Sequence, residues 1–231
     1  MDYKDWKSNY EKIVIDFNYS VKTDEKAANT LDKLLQEEKN LFPINTLKDL
    51  INNREIIIFG AGPSLEKSIL KNKKKLTDKL KIAADGTTTA LLKNKIRPDI
   101  IVTDLDGKIS DQLKANSEGS IVIIHAHGDN INKIKKYVPE FKEKILGTTQ
   151  INPEHYNLLH NFGGFTDGDR AVYLADHFHA KKIYLVGFDF NGNIGKYSFT
   201  KNKDKKLKLK KLKWCEYLID VLNKQNSINY L

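Results

Sequence analysis

Ile56-Ile-Ile-Phe-Gly-Ala-Gly-Pro-Ser-Leu-Glu66 is an apolar run that enters a glycine turn and leaves it with helical polarity. Four consecutive apolar residues bounded by turn signals predict a strand buried on both faces. The turn behind them predicts the entrance to a nucleotide or phosphate site, with the following helix N-terminus facing the charge. A dinucleotide fingerprint carries a third glycine or alanine three places after the second. Leu65 stands there, so the turn departs from the redox-cofactor pattern and points to a phosphate donor.

The same texture recurs downstream. Apolar runs at Lys81–Ala84, Ile100–Thr103, Ile121–His125 and Ile183–Val186, with a weaker one at Ile145–Gly147, are separated by helical stretches. Short runs alternating with helices predict an α/β fold, a doubly wound, mostly parallel, Rossmann-like sheet. Residues 1–52 carry helical spacing at Ala27, Leu31, Leu34 and Leu35 and no glycine. They form an N-terminal helical segment expected to pack on the core or on a partner subunit, which leaves room for a homodimer. Pro43 breaks the pattern, and Thr46 is expected to cap one more short helix. Residues 53–231 are then the α/β catalytic domain. Leucines at helical spacing from Asp204 to Leu222, with Trp214, predict an amphipathic closing helix, preceded by a mobile basic loop at 201–206.

A chain of 231 residues, 40% hydrophobic and 30% charged, builds one main core. No apolar run approaches the roughly 20 residues of a membrane helix, and the first residues lack a signal-peptide core, so a soluble, cytoplasmic protein is expected. The single cysteine, Cys215, excludes an intrachain disulfide framework and a cysteine-cluster metal site. A net charge of +9 calls for an anionic partner. Most of the excess lies in Lys71–Lys75 and Lys201–Lys213, with few interleaved aromatics to stack on bases. Solvated helix faces or phosphate-attracting rims, rather than a nucleic-acid surface, are the reading.

The residues just after each run carry the chemistry, because ligands of open α/β sheets bind at the carboxyl ends of the strands. In Gly60-Ala-Gly62-Pro63-Ser64 the glycines let backbone N–H groups approach a phosphate, Pro63 can start the helix and Ser64 adds a hydroxyl; a plain strand-to-helix turn is the alternative. Asp85-Gly86-Thr87-Thr88 offers a carboxylate for a ribose or heterocycle and hydroxyls that bind or cap. Asp104 and Asp106 lie two apart, so in an extended segment both carboxylates share a face and form a pair suited to Mg²⁺ beside phosphates. His125, His127 and Asp129 would contact phosphate or substrate, His125 alternatively serving as a strand-end structural histidine. Asp167, Gly168, Asp169 and Arg170 open a helix, where Arg170 can clamp phosphate and the acids can orient water or substrate; a helix cap with an internal ion pair is the bland alternative. Asp189 is a further strand-end acid, with Tyr197 and Phe199 near it as stacking or core residues.

In this order, Gly60-Ala-Gly-Pro-Ser-Leu, Ala84-Asp-Gly-Thr-Thr-Thr-Ala-Leu, Pro98-Asp-Ile-Ile-Val-Thr-Asp-Leu-Asp-Gly107, His125-Ala-His-Gly-Asp-Asn130, Gly163-Gly-Phe-Thr-Asp-Gly-Asp-Arg170 and Tyr184-Leu-Val-Gly-Phe-Asp189 resemble the archaeal 6-hydroxymethyl-7,8-dihydropterin diphosphokinase (MptE-like) family over residues 50–220. Thiamine pyrophosphokinases resemble the chain through an Ala-Asp-Gly and a following aspartate pair. Bacterial flagellin glycosyltransferases share a Gly-x-Gly-Pro-Ser turn, and a nucleotide-sugar glycosyltransferase is the competing reading. The diphosphokinase resemblance implies that ATP gives its β,γ-diphosphate to the hydroxymethyl oxygen of a dihydropterin, releasing AMP, on the route to a methanopterin- or folate-type carrier. It implies Mg²⁺ on Asp104 and Asp106, a phosphate cradle of Gly60–Ser64 and Arg170, and substrate or metal support from Asp85, Asp167 or Asp169. The expected catalytic set is Asp104, Asp106, Asp169 and Arg170.

Overall fold

The structure, a computed structural model, describes residues 3–199, 205–223 and 228–231. Three helices open the chain: α1 (Tyr3–Phe17), α2 (Val21–Glu37) and α3 (Ile44–Ile51). Strands and helices then alternate through β1 (Glu55–Phe59), α4 (Leu65–Asn72), β2 (Leu80–Ala84), α5 (Thr87–Lys93), β3 (Ile100–Thr103), α6 (Ile109–Ser117), β4 (Ile121–Ala126), α7 (Ile131–Tyr137) and β5 (Ile145–Thr149). The short β6 (Leu159–His160), α8 (Asp167–His177), β7 (Lys182–Val186), α9 (Lys205–Asn223) and β8 (Ile228–Tyr230) complete it.

All six apolar runs form strands, and the described strands make one sheet in the order β6-β5-β4-β3-β2-β1-β7-β8. Every adjacent pair is parallel, so the sheet is wholly rather than mostly parallel. Ile56, Ile57, Ile58 and Phe59 are all fully buried. A strand covered by helices on both faces cannot alternate apolar with polar residues, which is why the run is continuous. Two edge strands, β6 and β8, escaped the sequence reading: two and three residues are too few to make an apolar run.

From β1 the chain winds outward through β2 to β6, then β7 returns to the other side of β1. This reversal opens a crevice at the carboxyl ends of β1 and β7, where an open α/β sheet binds ligands.

The N-terminal helices close one flank of this sheet. Trp6 is fully buried and donates from Nε1 to the Gln150 carbonyl at 3.0 Å. Ala27, Ala28, Leu31 and Leu35 form the buried stripe of α2, and Leu41 pairs with Ile145 at the start of β5. The buried apolar side chains of these helices pack against the chain's own core, while Ile15 and Val21 are exposed. α3 starts at Ile44, with Pro43 as its N-cap; Thr46, expected as the cap, lies inside the first turn. α9 begins at Lys205, and residues 201–204 of the expected basic loop lie outside the described residues. Among the described residues, no helix is long and apolar enough to cross a membrane.

Candidate active site

A cavity of about 380 Å³ opens at the β1/β7 reversal. The ends of β1, β2, β3, β4 and β7 all reach it, through Gly60–Gly62, Ala84–Gly86, Asp104, His127–Asp129 and Gly187–Asp189. Asp106, Asp167, Gly168 and Arg170 complete the part of its wall that the sequence predicted.

Three carboxylates form its floor. One oxygen each of Asp85, Asp104 and Asp167 lies within 4.8 Å of the other two. Asp85 sits just past β2 with φ of 43°, in the left-handed region that aspartate and asparagine tolerate better than most residues. Its Oδ1 accepts from Thr103 Oγ1 at 2.7 Å, Gly107 N at 3.0 Å and Gln112 Nε2 at 2.9 Å. That oxygen is saturated, and Oδ2 is left for the cluster.

Despite those donors, burial and then the charge of Asp104 push the Asp85 carboxyl up to about 6. Burial, with Asp104 next, also raises Asp167 well above the ordinary carboxylate range, although Arg170 opposes this. Burial presses upward on Asp104 as well. There the hydrogen bond and charge of His127, with Arg170 and Lys211 beyond, win and hold the group below its usual range. The Asp129 N–H lies 3.3 Å from His127 Nδ1, and His127 Nε2 faces Asp104 Oδ2 at 3.4 Å. Converging acids that repel one another, with one oxygen of Asp85 and one of Asp167 taking no hydrogen bond, fit a hard divalent cation such as Mg²⁺.

Asp106 is not one of the three. Leu105 has φ of 66°, so the segment is not extended and residues two apart do not share a face. The Asp106 side chain is 51% exposed and pairs with Lys133, whereas that of Asp104 is 15% exposed. The expected pair Asp104–Asp106 therefore gives way, in geometry, to the triad Asp85–Asp104–Asp167.

Six of the predicted residues lie outside the cavity wall. Ser64 donates through both its N–H and its Oγ to Asp189 Oδ2, at 2.9 and 2.8 Å. The N–H groups of Gly60 and Gly62 go to the carbonyls of Val186 and Gly187, so the glycine turn is stitched to β7. Only tightness demands glycine here: a Cβ on Gly62 would come within 2.6 Å of the Gly187 carbonyl oxygen. Pro63 lies in the same turn, and α4 starts two residues later at Leu65. Thr87 Oγ1 donates to the Phe59 carbonyl at 3.2 Å, and Thr88 is buried. Asp169 is fully buried and accepts the Phe165 and Thr166 N–H groups, at 2.5 and 2.9 Å, as the cap of α8.

His125 lies behind the site, against Thr148. Thr148 gives its hydroxyl proton to the Ile124 carbonyl, so its oxygen accepts from His125 Nδ1–H at 3.1 Å. Burial, then the charge of Arg170, holds the imidazole neutral. Arg170 Nη1 donates to Asp167 Oδ1 at 3.1 Å, the internal ion pair weighed as the bland alternative, while its side chain still borders the cavity. Tyr197 is buried and its hydroxyl meets Glu66 Oε1 at 2.5 Å, and it also borders the cavity.

Sequence reading missed several contributors. Thr103 and Gln112 hold Asp85, and Asn130 ties two strand ends together by donating to the Asp104 and His125 carbonyls at 2.9 and 2.7 Å. Thr103 and Asn130 stood inside the quoted motifs; Gln112 gave no signal. A second wall comes from Asn18–Ser20, Thr23 and Asp24. Asp24 is buried and takes Tyr10 Oη, Gln150 Nε2 and the Gly128 N–H, which locks α1 and α2 to the end of β4. Lys208, Lys211, Leu212 and Cys215 of α9 supply a third wall.

The family model described as 6-hydroxymethylpterin diphosphokinase MptE-like matches residues 28–194. The chain is 46% identical to the 6-hydroxymethyl-7,8-dihydropterin pyrophosphokinase of Methanocaldococcus jannaschii, with 100% of each chain covered. It is 45% identical to the protein of that name from Pyrococcus furiosus, over 96% of this chain and 94% of that one. To the one from Methanothermobacter thermautotrophicus it is 42% identical, over 99% and 98%. Among solved structures, the MAf glycosyltransferase of Magnetospirillum magneticum aligns with 60% of this chain and 23% of its own, at 18% identity and a TM-score of 0.40, a likeness too remote to bear on function.

Proposed function

The chain belongs to the 6-hydroxymethylpterin diphosphokinase MptE-like family, and from that membership we propose that it transfers the β,γ-diphosphate of ATP to the hydroxymethyl group of 6-hydroxymethyl-7,8-dihydropterin. The hydroxymethyl oxygen attacks the β-phosphorus, the bond from that phosphorus to the oxygen bridging the α-phosphorus breaks, and AMP leaves. The products are AMP and the pterin diphosphate. Such a transfer asks the protein for alignment and for charge stabilisation rather than for covalent chemistry.

The observation that carries this reading is the convergence of the Asp85, Asp104 and Asp167 oxygens within 4.8 Å, in the cavity at the sheet reversal. These three would hold Mg²⁺, which when bound neutralises phosphate charge. His127 fixes the direction of the Asp104 carboxylate, and the Thr103, Gly107 and Gln112 donors fix that of Asp85. Arg170, beside Asp167, would face the phosphates, and the Gly60–Gly62 turn would form the wall against which the nucleotide lies. Asp106 and Asp129 would sit at the rim. The resulting diphosphate serves the synthesis of a methanopterin- or folate-type carrier.

The test is incubation with ATP, Mg²⁺ and 6-hydroxymethyl-7,8-dihydropterin, reading AMP and pterin diphosphate by chromatography, with the thiamine precursor alcohol as a parallel acceptor. Equimolar AMP and pterin diphosphate are expected with the pterin alone. A folded protein that forms no AMP with any acceptor sinks the proposal.

A further inference from the structure

Resting on that reading, we infer that Lys208 and Lys211 of α9 form a subsite for the diphosphate group in transit, holding the β- and γ-phosphates of the nucleotide opposite the carboxylate floor.

The geometry begins with helical periodicity. Lys208, Lys211, Leu212 and Cys215 are the α9 residues that border the cavity, and their spacing of i, i+3, i+4 and i+7 is one face of a helix. The lower half of that stripe is apolar and buried at Cys215. The upper half is cationic. The Cys215 Sγ lies 3.8 Å from where a Cβ on Gly168 would stand, next to Asp167 of the floor. Lys211 is four residues earlier, about 6 Å up the helix axis, within reach of a group seated on that floor. Its charge acts on Asp104.

The lysines of this helix divide by partner. Lys210, on another face, is bound to Asp16 at 2.8 Å. Of the other cations near the cavity, Lys133 is taken by Asp106 and Arg170 by Asp167. Lys208 and Lys211 have no carboxylate within 4.0 Å among the described residues. Lys211 Nζ instead lies 5.6 Å from the centre of the Phe165 ring, a contact that steadies an ammonium without neutralising it. Two ammonium groups with no carboxylate partner among the described residues, one helical turn apart on the wall of a cavity with an acidic floor, match a polyphosphate: the floor alone would repel it, and a lysine offers phosphate a point charge on an adaptable stem.

The experiment compares ATP, ADP and AMP binding, with Mg²⁺, by calorimetry in the wild type, Lys208→Ala, Lys211→Ala, the double variant and Lys210→Ala. Alanine is the strongest helix former, so α9 persists in all of them. Each cavity lysine removed should weaken ATP about tenfold and leave AMP within about twofold, while Lys210→Ala, the same charge change on the same helix, leaves the ATP-to-AMP ratio unaltered. An unchanged ratio in the double variant, or ATP and AMP weakening together, overturns the inference. Inorganic diphosphate separates it from the reading it rests on. If the wild type binds diphosphate, the double variant does not, and no AMP is ever formed, the subsite stands and the diphosphokinase falls. If the wild type turns over ATP and the double variant binds ATP as well as the wild type does, the subsite falls and the diphosphokinase stands.

Discussion

Replacing Asp85 with asparagine should stabilise the metal-free protein above neutral pH while removing its activity. Asp85 is buried and its carboxyl is raised from an ordinary 3.8 to about 6, by burial and then by Asp104. A folded-state value above the unfolded one means that the ionised form is disfavoured by folding. The penalty is absent below about pH 4, where both states are protonated, grows as pH rises through the window between the two values, and is complete above about 6. The two values lie about 2 pH units apart, so the full penalty is about 3 kcal/mol at pH 8. Asparagine keeps an acceptor for Thr103, Gly107 and Gln112, turns an N–H₂ toward the neighbouring carboxylates, and tolerates the φ of 43°. For a chain of this size that gain corresponds to roughly 6–12 °C. Thermal unfolding in EDTA at pH 8 and pH 4.5 measures it: a large rise in Tm at pH 8 and about a third of that rise at pH 4.5. With saturating Mg²⁺ the wild type should recover most of the gap, because only it keeps all three oxygens. A variant destabilised equally at both pH values refutes the idea that Asp85 is a repelled charge.

The other expectations are narrower. The rise in wild-type Tm produced by Mg²⁺ should itself grow as pH climbs through about 6, since protons compete for the Asp85 and Asp167 oxygens; a Mg²⁺ effect independent of pH removes the cluster as its site. Asp104→Asn should lower diphosphate transfer by about a hundredfold or more and Asp106→Asn by less than about tenfold; equal losses in a steady-state assay would return Asp106 to the metal. Gly62→Ala forces a Cβ against the Gly187 carbonyl and should cost about 2 kcal/mol in chemical denaturation, and an unchanged midpoint would mean that the turn can give. Imidazole NMR should find His125 neutral and protonated on Nδ1 throughout pH 5.5–8, and a midpoint near 6.5 would contradict its burial against Thr148.

Range along the chain decides which parts of this were legible in the sequence. The strand at Ile56–Phe59 and the glycine turn behind it are local signals, because burial on both faces writes itself as an uninterrupted apolar run. The parallel order then brings strand ends together without further instruction, which is how Gly60, Asp85, Asp104, His127 and Asp189 came to be recognised as neighbours. Direction is another matter. The rule that residues two apart share a face assumes an extended backbone, and Leu105 at φ of 66° sends Asp106 to solvent and Lys133 while Asp104 stays inside. Asp167 takes the vacated place from a helix more than 60 residues on, and no local pattern distinguishes it from Asp169, which is spent on capping. Ser64 shows the same limit: its hydroxyl reads as a phosphate donor until Asp189, 125 residues away in the chain, claims it.

The least legible part is the wall built by the two ends of the chain. Asp24 reads as a polar helix position, yet it is buried and holds the Gly128 turn, and Asp16 at the end of α1 anchors α9 through Lys210 and Trp214. The chain ends therefore close on each other across the mouth of the crevice. That contact decides which face of α9 is turned inward: with Lys210 and Trp214 held outside by Asp16, the stripe of Lys208, Lys211, Leu212 and Cys215 has only the cavity to face. A basic run that composition alone assigns equally well to solvent or to phosphate is thus divided by one aspartate 194 residues away from Lys210 into a lysine that closes the structure and two that border the cavity with no carboxylate partner among the described residues.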